Sequence, residues 1–253
     1  MVDIHSHILF NFDDGPETIG ESVHIIRMLE HTGVKHIVLT PHFYPSFISV
    51  REFALKRENR TCTILGIPDT KKTDVSLYFG AEVHMEKSLL EMDSLKELCF
   101  SGTNNILLEI PSASTDFNSS ASLIEKIMTS FNIVPIIAHV ERYVFFRKKP
   151  ENLRYLIDMG CFVQCNASCF ITSFLRKNWA LKALNNGLIS VIASDCHSIN
   201  LRPPNLTEAY KSIESKLGPD AVRCLKNNAY SLINKDACFA RTKADPIKST
   251  RTL

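Results

Sequence analysis

Seven short, nearly continuous apolar runs recur along the chain, and stretches with helical periodicity lie between them. The runs are residues 2–5, 35–40, 75–82, 105–110, 133–139, 161–166 and 188–193. A strand with one wet face alternates apolar and polar residues, whereas a strand covered on both faces reads as an unbroken apolar run. Strands of the second kind, alternating with helices, predict a parallel sheet with helices packed outside it. No linker or internal repeat divides the 253 residues. Residues 1–240 are therefore expected to form one α/β domain, either a closed or nearly closed barrel or an open doubly wound sheet. The polar stretch 241–253 lacks an apolar period and is expected to be a loose tail.

The connecting stretches carry their own signals. Thr18 and Glu21 have the spacing of a capping box, Val23, Ile26, Met28 and Leu29 supply an apolar side, and Gly33 is placed to close that helix. Further helical pattern falls near residues 50–62, 88–100, 122–131, 150–159, 174–185, 206–217, 219–226 and 229–234. The segment 43–72 has the weakest pattern of the chain.

Composition removes several functions. A net charge of +2 gives nucleic acid no basic track. No apolar run approaches the ~20 residues that span a bilayer, so membrane insertion is not expected. The N-terminus starts with acidic and histidine residues rather than a signal peptide, which predicts a cytoplasmic protein. The eight cysteines are then expected to remain reduced. Cys161, Cys165 and Cys169 repeat every four residues, a spacing unlike the usual metal-binding pairs, and read as small buried hydrophobes.

What remains conspicuous is where histidines and carboxylates fall. The first run ends in His5 and His7, which share a face in an extended backbone. Asp14 follows in the next loop. The second run ends near His42, the third at Glu82, the fourth at Glu109, the fifth at His139 and the seventh at Asp195 and His197. Six of seven strands thus deliver such a group at the C-terminal end, where barrel active sites are built. A buried rim of carboxylates requires cations. Nine ligands exceed the four to six that one ion accepts and suit two or three, with Glu82 bridging. His24, His31, His36 and His84 lie off this edge and are expected at the surface or behind the ligands.

The segments Asp3-Ile-His-Ser-His7, Asp13-Asp-Gly-Pro16, Thr40-Pro-His42, Gly80-Ala-Glu82, Ala138-His-Val-Glu-Arg-Tyr143, Ala193-Ser-Asp-Cys-His197 and Arg202-Pro-Pro204 resemble the polymerase and histidinol phosphatase superfamily. More narrowly they resemble its bacterial metal-dependent protein-tyrosine phosphatases, in order, over residues 1–240. The resemblance implies a distorted (β/α)7 barrel and three divalent ions, often manganese. It implies that His5, His7, Glu82 and Asp195 hold one ion, Glu82, Glu109 and His139 a second, and Asp14, His42 and His197 a third. Arg142 and Arg202 are implied to grip the substrate. The implied substrate is the tyrosine-rich tail of a bacterial tyrosine kinase that controls capsule or exopolysaccharide synthesis. Residues 44–74 match none of these motifs.

The residues themselves support phosphate-ester hydrolysis. Clustered cations neutralise the phosphate and activate water, and guanidinium forks match phosphate oxygens. A tyrosine leaving group, with pKa about 10, needs little proton assistance, which His42 or His197 can give when not bound to metal. The superfamily's small-molecule phosphatases, such as those for histidinol phosphate, are the alternative. Cys196-x5-Arg202 also meets the bare pattern of thiol-dependent phosphatases, but without the glycine-bearing phosphate loop such enzymes use.

Overall fold

A computed structural model describes residues 1–172 and 174–241. The strands are β1 (Val2–Asp3), β2 (His36–Leu39), β3 (His42–Phe43), β4 (Ser76–Phe79), β5 (Glu82–His84), β6 (Asn105–Glu109), β7 (Val134–Ile137), β8 (Phe162–Asn166), β9 (Val191–Ala193) and β10 (Ala240–Arg241). Two apolar runs are each broken once. β2 and β3 are halves of one strand separated at Thr40-Pro41, and β4 and β5 are halves of another separated at Gly80-Ala81. The lower halves pair as β1-β2-β4 and the upper halves join β3-β5-β6-β7-β8-β9, all parallel.

The ring is completed where β9 returns to β1. Ser6 and Cys196 form a parallel bridge, the His7 N–H donates to the Cys196 carbonyl at 2.9 Å, and the Asp195 N–H donates to the His5 carbonyl at 2.9 Å. On the other side of this segment the Thr40 N–H donates to the Ser6 carbonyl at 3.0 Å. Seven strand positions therefore encircle the core, as a distorted (β/α)7 barrel requires. β10 is antiparallel and pairs with β4 through Ala240 and Arg241. Residue 241, where a loose tail was expected to begin, lies in this strand, and residues 242–253 lie outside the described residues.

The helices are α1 (Ile19–His31), α2 (Val50–Gly66), α3 (Phe117–Phe131), α4 (Val144–Lys148), α5 (Glu151–Asp158), α6 (Phe174–Asn185), α7 (Leu206–Leu217) and α8 (Pro219–Ser231). The capping box of α1 forms as expected from Thr18 and Glu21. α3 starts at Phe117 rather than near residue 122, because the Asp116 carboxylate accepts the N–H groups of Asn118 and Ser119. The two last predicted helices merge into α8, whose Asn228 donates to the Ser190 carbonyl at 2.8 Å. The expected helix at residues 88–100 is replaced by two 3-10 turns, Lys87–Glu91 and Lys96–Leu98. Asp93 and Ser94 divide them, and the Ser94 hydroxyl accepts the Lys96 N–H in place of a helical bond.

Alternation along the strands separates two cores. One side packs against the helices, and the inward side stacks Val38, Tyr78, Leu107, Ile136, Val191 and Ala193 with Ile4. Two residues further along the same inward face, Leu107 leads to Glu109 and Gln164 leads to Asn166. The polar rim is the top layer of this barrel interior.

Gly80 allows the strand to break there. A Cβ at this position would lie 2.8 Å from both Val38 Cγ1 and Phe100 Cδ1. The Gly80 carbonyl leaves the ladder to accept from the buried Arg57 guanidinium, which also donates to the Glu97 carbonyl at 2.9 Å. Gly80→Ala is expected to destabilise the fold by about 1–3 kcal/mol through overpacking. A urea midpoint equal to that of the parent would contradict the close approach.

Candidate metal centre

All nine residues singled out at the strand ends meet in one contiguous cluster on the C-terminal rim. His5 and His7 follow β1 and bring their Nε2 atoms to 3.1 Å from each other. Glu82, the first residue of β5, places Oε2 at 3.2 Å from His5 Nε2, 3.0 Å from His7 Nε2 and 3.1 Å from His42 Nδ1. Its other oxygen lies 2.7 Å from His139 Nε2, which is also 3.5 Å from Glu109 Oε1. Asp195 Oδ1 is 3.3 Å from His5 Nε2. Asp14 stands at the lip, its side chain 59% exposed, with Oδ1 at 3.1 Å from His197 Nε2 and 3.5 Å from His42 Nε2. Glu82 lies at the middle, with one oxygen toward each side of the cluster.

The donor set fits divalent cations. Ligand atoms of His7, Asp14, His42 and His197 lie within 4.8 Å of one another, as do those of His5, His7 and Asp195 and those of His42, Glu82 and Glu109. Asp195 Oδ1 is buried without a hydrogen bond, and His42 Nδ1 and His197 Nε2 face carboxylate oxygens at 3.1 Å without hydrogen-bond geometry. Such atoms are costly in a protein interior unless something binds them. Burial lowers the pKa of His42 and His197 and leaves neutral imidazoles, the form that binds metal. Burial works against charge on Glu82 as well, yet His5, His139 and His7 outweigh it and hold the carboxylate well below its usual range. For His7, burial is outweighed by Asp13 and Glu82, which push its pKa well above the imidazole range.

Several supporting residues are absent from the reading of strand ends. Asp13, beside Asp14, accepts from His7 Nδ1 at 2.7 Å, from the His42 N–H at 2.9 Å and from the Gly15 N–H at 3.1 Å. It fixes the ring whose other nitrogen faces Glu82. Gly15 permits this turn, since a Cβ there would lie 2.3 Å from the His7 carbonyl oxygen. β8, the one strand without a histidine or carboxylate at its end, supplies amides instead. Gln164 accepts the His139 N–H at 2.6 Å, and Asn166 Nδ2 donates to Asp195 Oδ2 at 2.7 Å. Gln164 is fully buried in this apolar strand, where an amide needs partners. His84 lies behind the ligands, with Nδ1 at 3.2 Å from Glu109 Oε2.

Arg142 and Arg202 approach the centre from different loops, and Nη2 of each donates to Asp195 Oδ2 at 2.6 Å. Both are partly exposed. Tyr44, in the segment that matched no motif, has its ring centroid 5.4 Å from that of His42 and 5.3 Å from that of His84. Cys196 does not present a thiol to this rim. It is fully buried in the core, and burial, with Asp3 and Asp195 nearby, pushes its thiol pKa far up. A thiolate nucleophile has no support there.

Residues 1–234 match the family model for capsular polysaccharide synthesis, CpsB/CapC. The chain belongs to this family. It is 30% identical over 248 residues to the tyrosine-protein phosphatase CpsB of Streptococcus agalactiae, covering 92% of this chain and 98% of the relative. It is 31% identical over 246 residues to the putative tyrosine-protein phosphatase CapC of Staphylococcus aureus, covering 93% and 92%. Among solved structures, a member of the pair YwqE from Bacillus subtilis and CpsB from Streptococcus pneumoniae, described as unique metal-dependent tyrosine phosphatases, superposes with a TM-score of 0.78. The sequence identity is 26%, with 98% of this chain and 100% of that chain covered. A lactonase from Listeria monocytogenes shares the fold at 12% identity and a TM-score of 0.59, covering 91% and 94%.

The geometry separates candidate ligands from the groups that orient them. His7→Ala is expected to lower bound metal in the purified protein without changing its circular dichroism. Asp13→Ala is expected to weaken metal affinity about 10–100-fold, because His7 loses the partner that orients it. Unchanged metal titration in Asp13→Ala would remove that role.

Proposed function

We propose that this protein hydrolyses phosphotyrosine in proteins, using two or three divalent ions, with manganese as the working metal. The observation that carries the reading is the largely buried rim of nine nitrogen- and oxygen-bearing residues with two guanidinium groups converging on it. In this reading His5, His7, Glu82 and Asp195 hold one ion, Glu82, Glu109 and His139 a second, and Asp14, His42 and His197 a third. Bound there, the ions neutralise a phosphate dianion and lower the pKa of water to near neutrality.

The chain's own groups have separate tasks. Asp195 is held through Oδ2 by Arg142, Arg202 and Asn166, which leaves Oδ1 turned to the histidines. The other N–H groups of the two partly exposed arginines bind the phosphate oxygens, as planar forks do. Tyr44 flanks the mouth and offers an aromatic face to the phenyl ring of the substrate. Burial and the nearby carboxylates of Glu109 and Glu82 push its hydroxyl up to about 12, so it adds no negative charge beside the phosphate. His42 and His197 are the imidazoles placed to assist the leaving tyrosine oxygen.

The biological substrate in this reading is the phosphorylated tyrosine-rich tail of a bacterial tyrosine kinase in capsule or exopolysaccharide synthesis, met in the cytoplasm. Membership in the capsular polysaccharide family and the names of the relatives support it. No helix among the described residues is long and apolar enough to cross a membrane.

Turnover on a phosphotyrosine peptide and on histidinol phosphate, each with and without a chelator, tests this. Expected are loss of activity with the chelator, recovery with Mn2+, and a kcat/KM for the peptide higher by an order of magnitude or more. Cys196→Ser is expected to keep most of the activity. Chelator-resistant turnover lost in Cys196→Ser would overturn the metal mechanism, and preference for histidinol phosphate would overturn the substrate class.

A further inference from the structure

A second group of ligand-type side chains lies beside the centre without sharing a residue with it. Glu141 comes from the 3-10 turn Val140–Arg142 after β7, Cys165 from β8, and Cys169 from the 3-10 turn Ala167–Phe170. One carboxylate oxygen and the two Sγ atoms all lie within 4.8 Å of one another. Cys165 and Cys169 are 0% and 3% exposed, and Glu141 is 9% exposed.

The cysteine repeat in the sequence is therefore not uniform in space. Cys161 packs as a small hydrophobe, with Sγ 3.7 Å from the sulfur of Met128. Cys165 and Cys169 instead converge on a carboxylate. A buried carboxylate is costly unless paired, and Glu141 has a hydrogen-bonded partner in the Cys165 thiol. The neighbouring cation, Arg142, is engaged by Asp195. Glu141 Oε2 accepts the Asn166 N–H at 3.2 Å. Burial, then the proximity of Cys169 and Glu141, pushes the Cys165 thiol pKa well up. A cation at the middle of the three groups takes the place of the thiol protons, and two thiolates with one carboxylate form a tetrahedral zinc-type set once a water takes the fourth position.

We propose that Glu141, Cys165 and Cys169 bind one borderline-soft divalent ion of the zinc class, separate from the nine-ligand centre. Binding releases the two thiol protons to solvent and forms two metal–sulfur bonds and one metal–oxygen bond. The ion ties the turn after β7 to the end of β8 and the turn beyond it. It lies one residue from Asn166, whose backbone N–H meets Glu141 and whose side chain holds Asp195.

The nine-ligand centre contains no sulfur, which gives this site its own signal whether or not the phosphatase reading is right. Cd2+ titrated into the reduced, Mn2+-loaded full chain is expected to produce an ultraviolet thiolate-to-cadmium charge-transfer band that saturates at one ion per chain. The band is expected to vanish in Cys165→Ser and in Cys169→Ser, and to persist in Cys62→Ser and Cys224→Ser, whose thiols are exposed. Glu141→Gln keeps both thiols and is expected to need a Cd2+ concentration higher by an order of magnitude. Absence of the band in the parent chain overturns the proposal even if the cysteine variants fail to fold. Persistence of the band in folded Cys165→Ser or Cys169→Ser also overturns it, as does unchanged affinity in Glu141→Gln.

Discussion

Glu82 is the interaction on which the rest of the centre depends. A carboxylate 1% exposed at the mouth of a barrel would ordinarily protonate or find a salt bridge to a basic side chain. Here four histidines surround it, from the ends of three different strands, and each uses a ring nitrogen toward one of its two oxygens. Metal binding needs these imidazoles neutral, and a cation then supplies the positive charge that the buried carboxylate requires. The same requirement explains why Asp195 and Glu109 sit at neighbouring strand ends and why the arginines reach in from the outer loops.

Holding so many polar groups in one place strains the backbone at particular residues. His139 and Asp195 adopt left-handed conformations, with φ of 34° and 53°. Neither is glycine, and such conformations cost of order 1–3 kcal/mol each. The surrounding bonds hold them. The His139 N–H meets Gln164, the Asp195 N–H meets the His5 carbonyl, and Asp3 anchors Ser194 just before the turn through the Ser194 N–H at 3.0 Å. Asp3 is itself fully buried, and burial raises its pKa despite the hydrogen bonds from Ser194. The Asp3 carboxylate therefore acts at the end of β9, where it helps close the barrel.

The strand ends were legible because two independent periods agree there. The apolar runs define strands by their length and composition, and apart from Asp3 and His36 the histidines and carboxylates interrupt them at one end. Nothing in those runs marks a strand that changes neighbours halfway. The break in Val75–Glu82 depends on Gly80 meeting Phe100 and Val38, which are distant in sequence, and on Arg57 from α2. The turns at residues 87–98 escaped for a local reason, since Ser94 offers the backbone a bond that competes with a helix. Asp13 was hidden by its neighbour, because adjacent aspartates in a loop do not reveal which one faces inward.

β8 shows how a strand without the expected residue types still serves the site. Histidine and carboxylate are conspicuous in an apolar run, whereas Gln164 and Asn166 read as ordinary variation. Their value lies in carrying no charge. An acid at position 166 would add a further negative group beside Asp195, and a base would compete with the cations for it. An amide supplies one N–H to Asp195 Oδ2 and leaves Oδ1 for the histidine side. The backbone of the same residue serves Glu141 on the opposite side of the strand end. Asn166 thus lies between a centre built of nitrogen and oxygen and a cluster containing sulfur, in contact with both.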